Sequence, residues 1–443
     1  MLADHRVEGA AIEHQTVVKI WWRTVPLLAL LMFCCSLDRI NLSFAALTMN
    51  EELGFSNTTF GLGVGFFAVG YAVFAIPSTL ALHRFGARRW MSLIAIVWAV
   101  CSASTALVTN AGQLLAVRFL LGAAESGFAP GVVLYFSYWF PSQYRGRVLG
   151  SWMVIGPLAL IVGGPVSGAL LSLDNPLGLA GWQWLFIVEA LPSVLLGLIA
   201  LWPRFLADRP AEASWLSADE KRWLERKFKQ EEPRGTEPRA SRVNWQAVTR
   251  SRVWVLALVY LALGTSGLGA SLFVPLIIRS TGFSVAGSGW MSAVPGLAAA
   301  VTLPLWGLWS DRIRRRELVV ATGCAGIAAG LIGAALLLPS PLAIIPICVA
   351  MAGFNGALVA FWTLPSSFLA GASAAAGIAL INLTGNFGML TGPLLVGRLS
   401  DLTHSYVMGV ASLGGIAAAA AALIAAPAAH ESIRNRKVWR WSL

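Results

Sequence analysis

Charge is scarce in this sequence. Only 12% of its 443 residues are Asp, Glu, Lys or Arg, and hydrophobic residues reach 57%, against about 25% and roughly 45–50% in a soluble domain. That balance excludes a water-soluble enzyme or nucleic-acid-binding domain. Histidine is scarce too. The five present, His5, His14, His83, His404 and His430, lie at the ends of apolar runs or outside them, so neither a buried histidine relay nor a metal site is expected. Five cysteines, Cys34, Cys35, Cys101, Cys324 and Cys348, sit inside apolar runs with no disulfide framework or metal spacing. Any proton chemistry therefore falls to carboxylates.

What the chain has instead is long apolar runs. Twelve are found, near 24–47, 58–82, 91–109, 112–139, 149–172, 183–203, 251–279, 286–309, 318–338, 342–370, 374–399 and 405–428. Crossing a bilayer takes about 20 apolar residues, and helices satisfy every backbone group there. The expected class is an all-α, multi-pass membrane protein. Eleven runs follow the first, which lacks a small-residue cleavage site, so it reads as a retained helix and not a signal peptide.

The basic residues orient it. With the N-terminus placed in the cytoplasm, 28 of the 32 Lys and Arg fall in inner segments, and only Arg279 and Arg398 lie near the outer face. That bias predicts both termini in the cytoplasm and explains the formal charge of +11 by topology and anionic lipid, with no nucleic acid.

A hydrophilic stretch divides the twelve runs six and six. The reading is a first bundle over 1–203, a cytoplasmic linker over 204–250 and a second bundle with a basic tail over 251–443. Within the linker, "SADEKRWLERKFKQEE" from Ser217 has an N-cap serine, acids in its first turn and Trp223, Leu224 and Phe228 at helical spacing, which predicts an amphipathic surface helix. A tie between bundles accounts for it better than a regulatory site. The two sixes also echo one another. "HRFGARR" (His83–Arg89) follows the second run, and "GLWSDRIRRR" (Gly307–Arg316) follows the eighth. Internal repetition of this kind marks transporters that rock two bundles about a midplane site.

With these features the chain resembles the major facilitator superfamily. It is similar in particular to the anion:cation symporter branch, through "LDRINLSFA", "GVGFFAVGYAVFAIPS", "RFLLGAAESGFAPGVVLYFSYWFP", "GWQWLFIVEALPSVLLG", "FWTLPSSFLAG" and "NLTGNFGMLTGP". The resemblance implies two six-helix bundles and a monomer in the bacterial inner membrane. It also implies uptake of a small organic carboxylate (phthalate, tartrate, a sugar acid or hydroxyphenylacetate) driven by the proton gradient, with no cofactor.

Few ionisable residues lie deep in the runs: Asp38, Arg39, Arg118 and Glu125, with Glu189 shallower. Intramembrane charge is costly unless paired or wetted, so it marks function by default. Arg118 and Glu125, seven residues apart, share one helix face about 10 Å apart. Arg118 is a fixed cation whose planar fork suits a carboxylate; the alternative is an arginine permanently bridged to an acid of the first helix. Glu125, in "GAAESG", is pulled up by burial and down by its arginine, and could load and release a proton. The alternative is a protonated acid merely bonded to a neighbour.

Asp38 and Arg39 are about 100° apart around a helix, so one can face a partner helix while the other faces the cavity. The resemblance implies proton coupling by Glu125 and Asp38, and contact of Arg39 with the anion or a gate. A structural ion pair stays open for both. It also assigns Tyr71 to the substrate. Trp362, Thr363, Ser366, Asn382 and Asn386 are expected to close the site from the second half, and Arg84, Arg88, Asp311 and Arg312 belong to the gating loops. Glu189 reads as structural.

The sequence departs from the resemblance at His83, where an acid is usual, at Ser36 in place of a tyrosine, at Gly156 in place of a polar residue, and at Met389 in place of glycine. These departures point to a compact or aromatic carboxylate. The alternative function is proton-driven efflux of a drug or metabolite, suggested by the partial glycine-proline motif "VIGPLALIVGGPVSG". A third reading, a transport-dead sensor, finds no support in the tail or linker.

Overall fold

The computed structural model describes residues 2–173, 176–231, 251–313, 315–365 and 372–439. Among them, twelve helical segments are long and apolar enough to cross a membrane. Spans 1 to 6 are Ile12–Leu53, Asn57–Phe85, Ala87–Leu107, Ala111–Trp139, Ser142–Leu171 and Gly181–Leu201. Spans 7 to 12 are Ser251–Ser280, Val285–Arg312, Arg316–Leu337, Pro341–Phe361, Ala376–Thr403 and Val407–Ala426. Hydropathy located all twelve. The helices overrun the apolar runs where polar turns continue them, so the first extends over Leu2–Leu53. Twelve crossings bring the start of span 1 and the end of span 12 to one face, termed the terminal face; the opposite one is the far face.

Packing repeats with a shift of six. Span 2 lies on span 4 and span 3 on span 6; span 8 lies on span 10 and span 9 on span 12. The principal contacts between the sixes, span 2 with span 11 and span 8 with span 5, are exchanged by the same shift. Glycines make both possible. A Cβ on Gly61 of span 2 would meet the Pro393 carbonyl oxygen at 2.5 Å, and one on Gly164 of span 5 would meet the Gly289 carbonyl oxygen at 2.5 Å. Both contacts lie in the far-face half. Along the face that begins with Gly61, Val73, Ile76 and Leu80 of span 2 are exposed, and along the face that begins with Gly289, Pro304 of span 8 is exposed and a Cβ on Gly307 would meet nothing within 4 Å, so the sixes splay toward the terminal face.

At the far face the splay closes on a polar clasp. Asp401, near the end of span 11, accepts from the backbone N–H of Asn57 (2.9 Å) and Thr58 (2.8 Å) and from the Thr58 hydroxyl (2.5 Å). A carboxylate at a helix N-terminus satisfies N–H groups with no partner inside the helix and meets the positive end of the helix dipole. Tyr406 adds a bond to the Asn57 side chain at 3.1 Å, and Phe60 meets Phe273 edge-on, with centroids 4.9 Å apart.

Two local features position the site. Span 4 breaks at Ser126–Gly127, between helices Ala111–Glu125 and Phe128–Trp139. Pro130 lacks the N–H that would bond back to Ser126, so Glu125 stands at a helix end. Span 7 contains a π-helical turn, Gly264–Leu268, a distortion frequent at functional sites.

The linker helix, Ala218–Glu231, forms as the sequence predicts. The Ser217 hydroxyl accepts from Glu220 N at 3.2 Å, and Glu220 accepts in return from Ser217 N at 2.6 Å, a reciprocal cap. Trp223 and Leu224 are buried, and Lys19, Lys227 and Arg145 pair with Glu220, Glu13 and Glu231. Each of these bonds ties the helix to the first six spans. Burial would raise the Glu220 carboxyl, but Ser217 and Lys19 outweigh it and hold it below the usual value.

Substituting Gly61→Val should wedge span 2 from span 11 without touching the charged centre. The distance between spin labels at positions 55 and 405 is then expected to lengthen relative to the glycine protein; an unchanged distance would show that the close approach does not hold the far face shut.

Candidate functional site: a charged cavity between the two sixes

A cavity of about 360 Å³ lies where the sixes meet, within the roughly 300–1,000 Å³ of small-molecule sites. Its first-half wall is Ser36, Arg39, Ile40, Ser43 and Phe44 of span 1, Val64 and Phe67 of span 2, Arg118 of span 4, and Gly156 and Leu160 of span 5. The second half contributes Leu268, Ser271, Leu272, Val274, Pro275, Ser292, Pro295, Gly296, Ala299, Met351, Phe354, Asn355 and Met389. All the charge is on one side. A larger hollow of about 760 Å³ among spans 7, 11 and 12 has only Arg398 as a charged residue and an otherwise nearly apolar lining, so it lacks the chemistry of the central cavity.

Glu125 is fully buried and ion-paired. Its Oε2 accepts from Arg39 Nε at 2.8 Å and from Cys35 Sγ at 3.2 Å, while Oε1 has no partner. Span 1 supplies both donors because residues 35 and 39 are one turn apart on one face. Arg39 remains partly open to the cavity, its side chain 31% exposed. Its guanidinium carbon lies 5.7 Å from the Phe67 ring centroid and 5.3 Å from that of Tyr71.

Arg118 lies 5.1 Å from the same Phe67 centroid. Its Nη1 donates to the Asp38 main-chain carbonyl at 3.2 Å, and its Nε has no partner. Among the described residues no carboxylate comes within ion-pair distance of it, which removes the permanent bridge to a first-helix acid. A buried guanidinium with unused donors on a cavity wall can take an anion.

Asp38 points the other way, as a neighbour of Arg39 on a helix must. It is fully buried, and its Oδ1 accepts from the Ser102 hydroxyl of span 3 and from Asn41 Nδ2 at 3.3 Å, while Oδ2 has no partner. Among the described residues it makes no ion pair.

Among the described residues, the second-half candidates do not line this cavity. Trp362 and Thr363 follow the end of span 10 at Phe361 and do not line the cavity. Trp362 instead packs edge-on against Tyr260 with centroids 5.0 Å apart, and Thr363 donates to the Ala360 carbonyl at 2.6 Å. Asn382 is exposed and Asn386 half-buried, and neither reaches the cavity lining, which takes Met389 from that helix. An (i, i+4) spacing fixed the shared face of the two asparagines but not which way it turns. Ser366 lies outside the described residues.

Missing from the sequence reading was Asn355. Its Nδ2 donates to the Met351 carbonyl at 3.0 Å. An amide inside the apolar stretch "MAGFNGALVAF" was the available signal.

The four residues expected to gate lie apart from each other. Arg88 pairs with Asp208 at 3.6 Å, Arg84 packs on Phe85, and Asp311 and Arg312 are exposed. Among the described residues no bond of theirs crosses from one six to the other, as the splay at the terminal face requires.

Residues 28–393 match the Major Facilitator Superfamily. The chain is 41% identical over 406 residues to a "Putative tartrate transporter" of Agrobacterium vitis, covering 91% of this chain and 89% of that one. It is 35% identical over 408 residues to a "Quinolone resistance transporter" of Acinetobacter baumannii, covering 90% and 91%. The fold matches a crystal structure of a bacterial homologue of the human lysosomal transporter Spinster, inward-facing and unoccupied, with a TM-score of 0.72, 19% identity, and coverage of 91% and 95%. The chain is therefore a multi-pass transporter of the bacterial inner membrane and not an enzyme.

Phe67 carries two cations on one ring. Phe67→Leu should cost about 1–3 kcal/mol of stability through lost burial and two cation–π contacts, read as a lower thermal midpoint of the purified protein. Phe66→Leu, at a position 38% exposed, should change it little; equal losses would mean that Phe67 has no special part in holding the guanidinium groups.

Proposed function

The chain belongs to the Major Facilitator Superfamily, and on that premise we propose that it is a proton-coupled symporter importing a small organic carboxylate by alternating access. The observation that carries this reading is the Arg39–Glu125 pair, whose arginine is on the cavity wall, with Arg118 on the same wall holding unused donors. A substrate carboxylate entering the cavity competes with Glu125 for Arg39. Once it takes the guanidinium, Glu125 is a buried acid without its cation, and binding a proton is the least costly way to neutralise it. Substrate and proton are thereby loaded together. Asp38, buried without a cation, is the second acid in this scheme. In the orientation that the basic residues favour, the terminal face is cytoplasmic and the splayed state faces inward. Arg84, Arg88, Asp311 and Arg312 then meet only in the opposite state. The small, largely apolar second-half wall suits a compact or aromatic acid, and the resemblance to a tartrate transporter supports a carboxylate.

The second reading, proton-driven export, is favoured by the quinolone-resistance relative. Uptake of labelled tartrate into vesicles with an imposed inward proton gradient discriminates the two, since export predicts loss of preloaded compound instead.

Glu125→Gln should retain exchange of substrate across the membrane while losing accumulation against a gradient, because the amide binds no proton. Accumulation at the wild-type level in such vesicles would remove Glu125 from coupling. Arg118→Lys should weaken affinity at least about tenfold, a loss of roughly 1.4 kcal/mol, since a lysine lacks the planar fork. A thermal-shift screen of organic acids on both proteins measures it, and equal midpoint shifts with the best ligand would refute the assignment.

A further inference from the structure

Behind the cavity wall lies a second polar cluster that the charged pair does not use. Glu189 of span 6 is 4% exposed; its Oε1 accepts from the Ser167 hydroxyl of span 5 at 3.0 Å, and its Oε2 has no partner. Asn41 of span 1, fully buried, stands between Glu189 and Asp38. Its Nδ2 serves Asp38, and its Oδ1 has no partner. Two buried carboxyl oxygens, Asp38 Oδ2 and Glu189 Oε2, and the buried Asn41 Oδ1 thus all lack a donor. Three buried acceptors without donors is an unfavourable arrangement, where each unmade bond costs about 1–3 kcal/mol.

The groups facing Glu189 from each packed helix supply no positive charge. Span 1 presents Asp38, Asn41 and Cys34 and span 5 presents Ser167, while Ser102 of span 3 bonds to Asp38. Arg118 of span 4 donates to the Asp38 carbonyl, and among the described residues it makes no bond to Glu189. Glu125, a further acid nearby, repels Asp38. An ionised Glu189 would therefore be a buried anion with the Ser167 hydroxyl and the Asn41 side chain beside it and no cation.

We propose that Glu189 is a second proton-binding site of the transporter, holding a proton that it donates to the Asn41 side-chain oxygen. One proton bound takes the carboxylate from −1 to neutral and gives both Glu189 Oε2 and Asn41 Oδ1 a partner. Because the Asn41 amide also serves Asp38, the two acids are coupled: removing the proton from Glu189 makes protonation of Asp38 more favourable. Glu189 is thus a carrier or reserve for the proton of the proposed symport and not a packing residue. This extension to coupling rests on the proton-coupled reading above, whereas the protonation itself does not.

The test is infrared difference spectroscopy of the purified full-length protein in lipid, titrated with pH and repeated in heavy water. Wild type should show a protonated-carboxyl band at neutral pH that is lost in Glu189→Gln and retained in Glu125→Gln. Asn41→Leu, which removes the acceptor, should shift that band to higher frequency. Absence of a Glu189-dependent band at neutral pH would overturn the proposal, as would its disappearance on adding sodium at constant pH, which would make the cluster a metal-cation site. Failure of tartrate uptake with the band intact would count against the symport reading alone.

Discussion

A carboxylate and a guanidinium buried together inside a membrane protein set the terms for everything around them. Neither Glu125 nor Arg39 can stand alone there, because breaking a buried pair by removing one partner costs about 3–5 kcal/mol. The chain accordingly brings span 1 against span 4 so that Arg39 Nε and Cys35 Sγ meet Glu125 Oε2. It also ends the first part of span 4 at Glu125, through the bond that Pro130 cannot make. The pair is nonetheless incomplete. Glu125 Oε1 has no partner and Arg39 is partly open to the cavity, so a competing anion can reach the cation without first opening the helix packing.

Charge and flexibility are divided between the halves. The first six spans hold Arg39, Arg118, Glu125 and Asp38, whereas the second-half wall offers hydroxyls, one amide and apolar groups. That wall also carries the π-helical turn of span 7 and the prolines Pro275 and Pro295 in the lining. A wall without fixed charges can slide over a ligand held by the other half at little electrostatic cost. The glycine contacts at Gly61 and Gly164 let the sixes touch closely over a short length at the far face, which is the geometry of a hinge. Because spans 2 and 11 are related to spans 8 and 5 by the same shift of six, the rocking motion of the proposed alternating access would loosen both contacts together.

Twelve spans, the linker helix with its Ser217 cap and the position of the charged cluster were legible in the sequence, for a common physical reason. Hydropathy, caps and the cost of intramembrane charge are local properties that need no knowledge of neighbours. The bond from Arg118 to the Asp38 carbonyl was not legible, since a main-chain acceptor carries no residue signature. Nor was the rotation of span 11: Asn382 and Asn386 share a face, but glycine contacts with spans 2 and 7 turn Met389 to the cavity instead. The helical stop at Phe361 moved Trp362 and Thr363 out of the site, because membership of an apolar run does not fix where its helix ends. The far-face clasp was equally hidden. Asp401 looks like an ordinary helix-end acid until its partner helix is known.

The number of protons carried determines what the membrane potential can contribute. In the proposed scheme a monovalent carboxylate that displaces Glu125 from Arg39 brings one negative charge and loads one proton, so the loaded carrier moves no net charge. A second proton, held between Glu189 and Asp38, would change that sum only if it were released on the inner side in each cycle. The net charge carried would then be positive, and the potential would add about 2.3 kcal/mol per 100 mV, roughly fiftyfold in accumulation. For a dicarboxylate such as tartrate the same second proton would serve instead to cancel the second negative charge. The cluster behind the wall therefore matters most for the charge of the substrate, a property that the cavity lining alone leaves open between one carboxylate and two.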